Sequence, residues 1–387
     1  MSAPPPTRPR AHRGRTLLGA LLAVAAAAGA ACSTSGPRAT AAPAAGDSVR
    51  IGIALNPTRS GMASIDEGVE LAVAHLNARR GTAAPFAARR APRELTSAVQ
   101  IAAVLRDDPA VVGVVGHPES GSTLEALPVY EDLEGGGRRA VVAVSPTASS
   151  PALSGRSRWL FRVCPTDLAA SEAVARYVVD SVGARRAAVV YRNDSYGRDW
   201  TRSFSAAYRA AGGTVVQRDP YVAGATEWAA YAAYMRQQGA DVLLFPGDAD
   251  DAAHAIRALR AVGAAPAFVG GDAASGLEEQ AAEFAGAHYT AFFDARQATA
   301  PEARRFVDAF QARFGHVPDQ RAALAYDAAM IIGQAVLERG PDRGRVRDAL
   351  AAIDTSRPSA GVAGPIAFDA RHDVVGRSVV VATVGAR

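Results

Sequence analysis

Short apolar runs bounded by turn residues alternate along most of this chain with stretches whose apolar positions recur every three or four residues. The first run, Val49 to Leu55, reads as a strand, and Ile65, Val69, Ala72, Val73 and Leu76 then share one helical face. The same alternation predicts a helix over 98–105, a strand over 110–115, a helix over 124–130 and a strand over 140–144. It restarts after Phe161-Arg-Val-Cys-Pro165, with helices over 169–182, 200–211, 228–238 and 251–262 between strands at 187–191, 214–217, 241–245 and 267–269. A strand over 288–293, helices over 301–314, 322–338 and 343–352, and strands at 366–369 and 378–384 complete the series. Valine runs without polar alternation suit parallel strands covered on both faces, and repeated βα units predict doubly wound sheets with right-handed crossovers. The fold class predicted is therefore α/β, with two doubly wound, Rossmann-like lobes.

Composition narrows the chemistry. At 387 residues, 49% of them hydrophobic, the chain can build two cores. With histidine neutral, arginine supplies all the side-chain positive charge, because the sequence holds no lysine. This excludes a Walker-type phosphate loop, a Schiff-base lysine and a Ser-x-x-Lys nucleophile. The net charge is +4, but Arg8, Arg10, Arg13 and Arg15 precede Cys32 with no acidic residue among them, and 4 − 4 leaves the remainder near neutral. A near-neutral body without a basic stripe argues against nucleic acid as partner. No Gly-x-Ser-x-Gly, His-Glu-x-x-His or Gly-x-Gly-x-x-Gly occurs, and the seven histidines are scattered, so the reading is of a binding protein, not an enzyme, with no cofactor or metal.

The start is a targeting segment. Residues 1–31 combine an arginine-rich beginning with an apolar run from Leu17 to Ala28, as a signal peptide does. Gly29-Ala-Ala-Cys32 resembles a bacterial lipobox, which makes Cys32 the expected lipidation site and residues 32–46 a tether to the cell membrane. Cys164 is the only other cysteine, so an acylated Cys32 leaves no disulfide.

Several blocks, in order, carry a resemblance. They are Gly68-Val-Glu-Leu-Ala72, Val111-Val-Gly-Val-Val-Gly-His-Pro-Glu-Ser-Gly-Ser-Thr123, Val144-Ser-Pro-Thr-Ala-Ser-Ser-Pro151, Phe161-Arg-Val-Cys-Pro-Thr-Asp167, Asn193-Asp-Ser-Tyr-Gly-Arg198, Ala325-Tyr-Asp-Ala-Ala329 and Gly364-Pro-Ile-Ala-Phe-Asp369. Together they resemble the type I, leucine/isoleucine/valine-binding-protein-like periplasmic binding proteins over nearly all of residues 48–385. The resemblance implies a first lobe of residues 47–165 plus 291–365 and a second of 166–290 plus 366–387, joined by a three-stranded hinge. It implies an exported, monomeric receptor for a small amino-acid-like ligand, serving an ABC permease and ATPase complex. The alternative is a ligand sensor or envelope regulator built on the same fold.

The resemblance also names the residues expected to hold the ligand. His117 to Thr123 joins a strand to a helix, and backbone N–H groups at a helix N-terminus favour an anion. Ser120 matches the family's carboxylate-binding serine, with Gly121 and Ser122 beside it and Ser122 and Thr123 as possible helix caps. Thr147 and Ser149 match the second carboxylate and amine loop, Tyr196 a tyrosine across the cleft, and Asp272 the acid that pairs the ligand's ammonium. Asp167 matches an aspartate near the hinge. Gly61-Met62 and Asp248 depart from the aliphatic pattern, and a carboxylate at 248 predicts a ligand more polar or cationic than leucine.

Overall fold

The structure is a computed structural model that describes Met1 and residues 48–58, 61–80 and 85–385. The predicted signal peptide, the tether and Cys32 lie outside the described residues.

Two sheets form two lobes. The first contains β1 (Val49–Ala54), β2 (Phe86–Arg90), β3 (Val111–Gly116), β4 (Val142–Ser145) and β5 (Leu160–Arg162), in the order β2-β1-β3-β4-β5, all parallel. All six residues of β3 are buried because both faces are covered. Val112 and Val115 enter one core, with α1 (Met62–Arg80) and α10 (Gln320–Arg339); Val111 and Val114 enter another, with α2 (Ala98–Asp107) and α3 (Ser120–Tyr130).

The second sheet runs β11-β10-β9-β8-β6-β7. Its strands are β6 (Arg186–Arg192), β7 (Thr214–Tyr221), β8 (Val242–Phe245), β9 (Ala267–Gly270), β10 (His288–Ala291) and β11 (Val380–Thr383), and only the β10–β11 pair is antiparallel. Helices α4 (Asp167–Tyr177), α5 (Ser195–Ala210), α6 (Trp228–Gln238) and α7 (Ala249–Ala261) cover its faces, and a 3-10 stretch, Asp272–Gln280, precedes the short α8 (Ala281–Phe284). Helices α9 (Pro301–Phe314) and α11 (Arg343–Ala351) return to the first lobe.

Chain order reverses between β1 and β3 in one sheet and between β6 and β8 in the other. Each reversal opens a crevice at the carboxyl ends of the strands, where open α/β sheets bind ligands.

Three details differ from the sequence reading. Residues 366–369 make isolated bridges in place of a strand, and Ile366, Phe368 and Val374 pack in the first lobe's core although the tail was assigned to the second. β2 was not foreseen. Helices α3 and α5 begin at Ser120 and Ser195, four and five residues earlier than their apolar spacing indicates.

Arginines fasten the segments that run between lobes. Arg162 donates to Asp373 at 2.6 Å and to the Ser150 carbonyl at 2.7 Å. Arg377 donates to the Val163 carbonyl at 2.7 Å and to Asp327 at 2.5 Å.

Candidate functional site

Loops from both crevices face one cavity of about 260 Å³. The first lobe contributes the loops after β1 and β3, Thr147 after β4, and the first turn of α10; the second contributes the loops after β6 and β8 and the 3-10 stretch after β9.

Ser120 is the first residue of α3, and its hydroxyl accepts from the Ser150 amide at 3.2 Å, leaving its own O–H to donate. The N-cap is Glu119, whose side chain makes no cap bond, so the expected caps are corrected: Ser122 Oγ donates to Glu119 Oε2 at 3.2 Å and Thr123 Oγ1 to the His117 and Glu119 carbonyls. The first N–H groups of α3 therefore have no side-chain cap and point toward the strand ends. Thr147 lines the cavity with its hydroxyl held by the Pro118 carbonyl at 2.9 Å.

Three expected contacts do not line the cavity. Gly121 faces the second lobe, where an added Cβ would lie 3.6 Å from Ser195 Oγ. Ser122 is turned to Glu119. Ser149 is buried against the Asp167 carboxyl, with its carbonyl accepting from the Asp167 amide at 2.9 Å. His117 is structural: its Nε2 lies 3.0 Å from the Tyr130 hydroxyl, and burial lowers its pKa to about 3, so the ring is neutral.

The second lobe supplies acid. Tyr196 donates to Asp272 Oδ1 at 2.9 Å, and both line the cavity. Gly271 permits this, since a Cβ there would sit 2.0 Å from the tyrosine oxygen. Burial raises the Asp272 pKa to about 6, opposed by the Tyr196 bond and by Arg321. Burial, then the charge of Asp272, hold Asp167 well above the usual carboxylate range.

Asp248 lines the cavity but is held by Arg192, which also grips Asp194. Asp248 is thus paired within the protein, although one guanidinium serves two carboxylates, and the argument for a more polar or cationic ligand loses its premise of an unpaired acid.

The sequence reading missed Arg192, Gln320 and Arg321. Gln320 Nε2 donates to the Asp272 carbonyl at 3.0 Å while its Oε1 accepts from the Phe292 amide at 2.8 Å, tying α10 to the second lobe. These residues carry no local signature; only the tertiary fold brings the start of α10 to Asp272.

The comparisons agree with this architecture. The periplasmic binding protein family model matches residues 48–387. The Leu/Ile/Val-binding protein homolog 3 of Brucella melitensis is 27% identical over 68% of this chain and 69% of its own length. The Leu/Ile/Val-binding protein of Escherichia coli K12 is 26% identical over 80% of this chain and 82% of its own. The structure of the branched-chain amino acid transporter substrate-binding protein LivJ from Streptococcus pneumoniae, in complex with isoleucine, superimposes with a TM-score of 0.77 at 24% identity, covering 87% of this chain and 96% of that one. Matched over residues 48–387 and built as the same two-lobed fold, the chain belongs to the type I periplasmic binding protein family.

Proposed function

We propose that this protein captures an amino acid between its lobes and delivers it to an ABC importer, exported and held at the membrane by lipid on Cys32. The observation that carries the reading is the pairing of opposite chemistries across one cavity. The α3 N-terminus and the Ser120 hydroxyl suit a carboxylate; the buried Tyr196–Asp272 pair suits an ammonium. A zwitterion satisfies both. The relatives named for Leu/Ile/Val binding support the amino-acid class, and the transporter named for the Streptococcus pneumoniae neighbour supports import over sensing.

The test has two readouts. Fractionation of cells expressing the full chain or Cys32→Ser should find the former with membranes and the latter released. The purified full chain, in detergent, is then melted with each common amino acid; a ligand a hundredfold above its Kd adds about 2.7 kcal/mol of stability. No midpoint shift with any amino acid would sink the reading.

A further inference from the structure

Arg321, second residue of α10, lines the cavity with a side chain only 16% exposed. A guanidinium carries five N–H donors, and taking it from water is costly unless they are satisfied. Two other enclosed arginines meet this need: Arg343 reaches three carbonyls at 2.6–2.7 Å, and Arg192 holds two carboxylates. Arg321 has a long 3.4 Å bond to the Ala273 carbonyl, and the carboxylate paired with it, Asp319, lies 3.8 Å away.

The facing loop is shaped around this group. Gly61 has φ +71°, and a Cβ there would sit 2.6 Å from Arg321 Nη1. The departure from the family pattern at 61 therefore makes room for the guanidinium. Across the cavity, Asp250 and Glu279 stand exposed on the second lobe.

We infer that Arg321 is a specificity-determining residue for the far end of the ligand, and that the ligand is an amino acid whose side chain ends in a neutral acceptor-and-donor group, a carboxamide or ureide. This rests on the amino-acid reading above and deepens it. An apolar side chain would leave the Arg321 donors covered and unmatched. A second carboxylate would enter a lining where five acids (Glu119, Asp248, Asp250, Asp272, Glu279) face two arginines. A cationic end would meet the Arg321 guanidinium. A carboxamide gives its oxygen to Arg321 and its N–H groups to the acidic side.

The experiment is calorimetric titration of the full chain with L-glutamine, L-citrulline, L-glutamate, L-arginine and L-leucine. Glutamine or citrulline should bind at least tenfold tighter than the other three. Arg321→Met, which keeps the apolar stem, should weaken that ligand at least tenfold while leucine binding stays equal or improves. Gly61→Ala, which displaces the same guanidinium from the opposite side, should shift the ranking the same way and covers the case of a poorly folded Arg321 variant. Leucine, glutamate or arginine binding tightest, or a ranking unmoved by both substitutions, overturns the inference while leaving amino-acid capture intact. Absence of binding by every amino acid overturns both.

Discussion

Two carboxyls, Asp272 and Asp167, share a water-poor junction between the lobes, and their proton affinity is set there. Asp272 faces Tyr196 from α5, Arg321 from α10, Asp248 from the loop after β8 and Asp167 at the start of α4. Its pKa of about 6 exceeds the ordinary unfolded value of about 3.9. A raised folded-state pKa means that the folded form binds the proton more tightly, so this contribution to stability is complete below about pH 4 and is lost as pH rises through 6. Asp272→Asn removes the titration and keeps an acceptor for the tyrosine. Its stability relative to the parent should therefore grow by on the order of 3 kcal/mol between pH 4 and pH 7, read from urea midpoints. The ligand's ammonium acts oppositely: it needs the carboxylate, so capture by the parent should weaken as pH falls below 6, and Asn at 272 should cost at least tenfold in affinity at pH 7. A relative stability flat with pH would show that folding leaves the Asp272 pKa at its ordinary value. The Asp272 position was legible in Gly270-Gly-Asp272, but its partner lies 76 residues away and its burial is a property of the closed fold.

Elements with continuous apolar runs or clear helical spacing were legible; those whose context decides them were not. β3 and β8 announce themselves because parallel strands covered on both faces need apolar residues at every position. β2 reads Phe-Ala-Ala-Arg-Arg, an edge strand whose polar half faces outward, and nothing local marks it. The start of α5 is hidden because Asp194-Ser-Tyr-Gly197 looks like a turn; Asp194 in fact caps the helix through the Gly197 amide at 2.9 Å. The packing of α1 on α10, which places Gln320 and Arg321, depends on Gly68: a Cβ there would lie 2.3 Å from the Ala322 carbonyl. Alanine is the better helix former by up to about 1 kcal/mol, yet the clash is with backbone and the helices must part. Gly68→Ala should thus lower stability by about 1–3 kcal/mol in urea unfolding. A stabilised variant would mean that α10 can shift without cost.

The two-lobed organisation follows from the restart of the βα series after Pro165, but which loops meet across the cleft is set by how the lobes close. Several bonds join the lobes here: Gln320 to the Asp272 carbonyl, Arg321 to the Ala273 carbonyl, and the Ser150 hydroxyl to Asp199 on α5. The last joins the loop after β4 to α5 through two side chains that, among the described residues, make no bond to the hinge segments, so it reports closure more directly than the Gln320 bond, which also reaches Phe292. A contact made only in the closed form shifts the open–closed balance without touching the ligand, and apparent affinity falls by the lost fraction of competent protein. A hydrogen bond to a charged group contributes about 1.5–3 kcal/mol, which corresponds to a tenfold or greater loss of affinity when Asp199→Ala removes it. The ligand-free melting midpoint should change little, because each lobe keeps its own core. Asp199 also pairs with Arg202 at 3.2 Å on the same helix, and Arg202→Ala controls for that surface contact, worth about 0.5 kcal/mol or less. Affinity equal to the parent's in Asp199→Ala would mean that closure draws nothing from this bond; a lowered ligand-free midpoint would mean that the bond supports the folded lobes themselves.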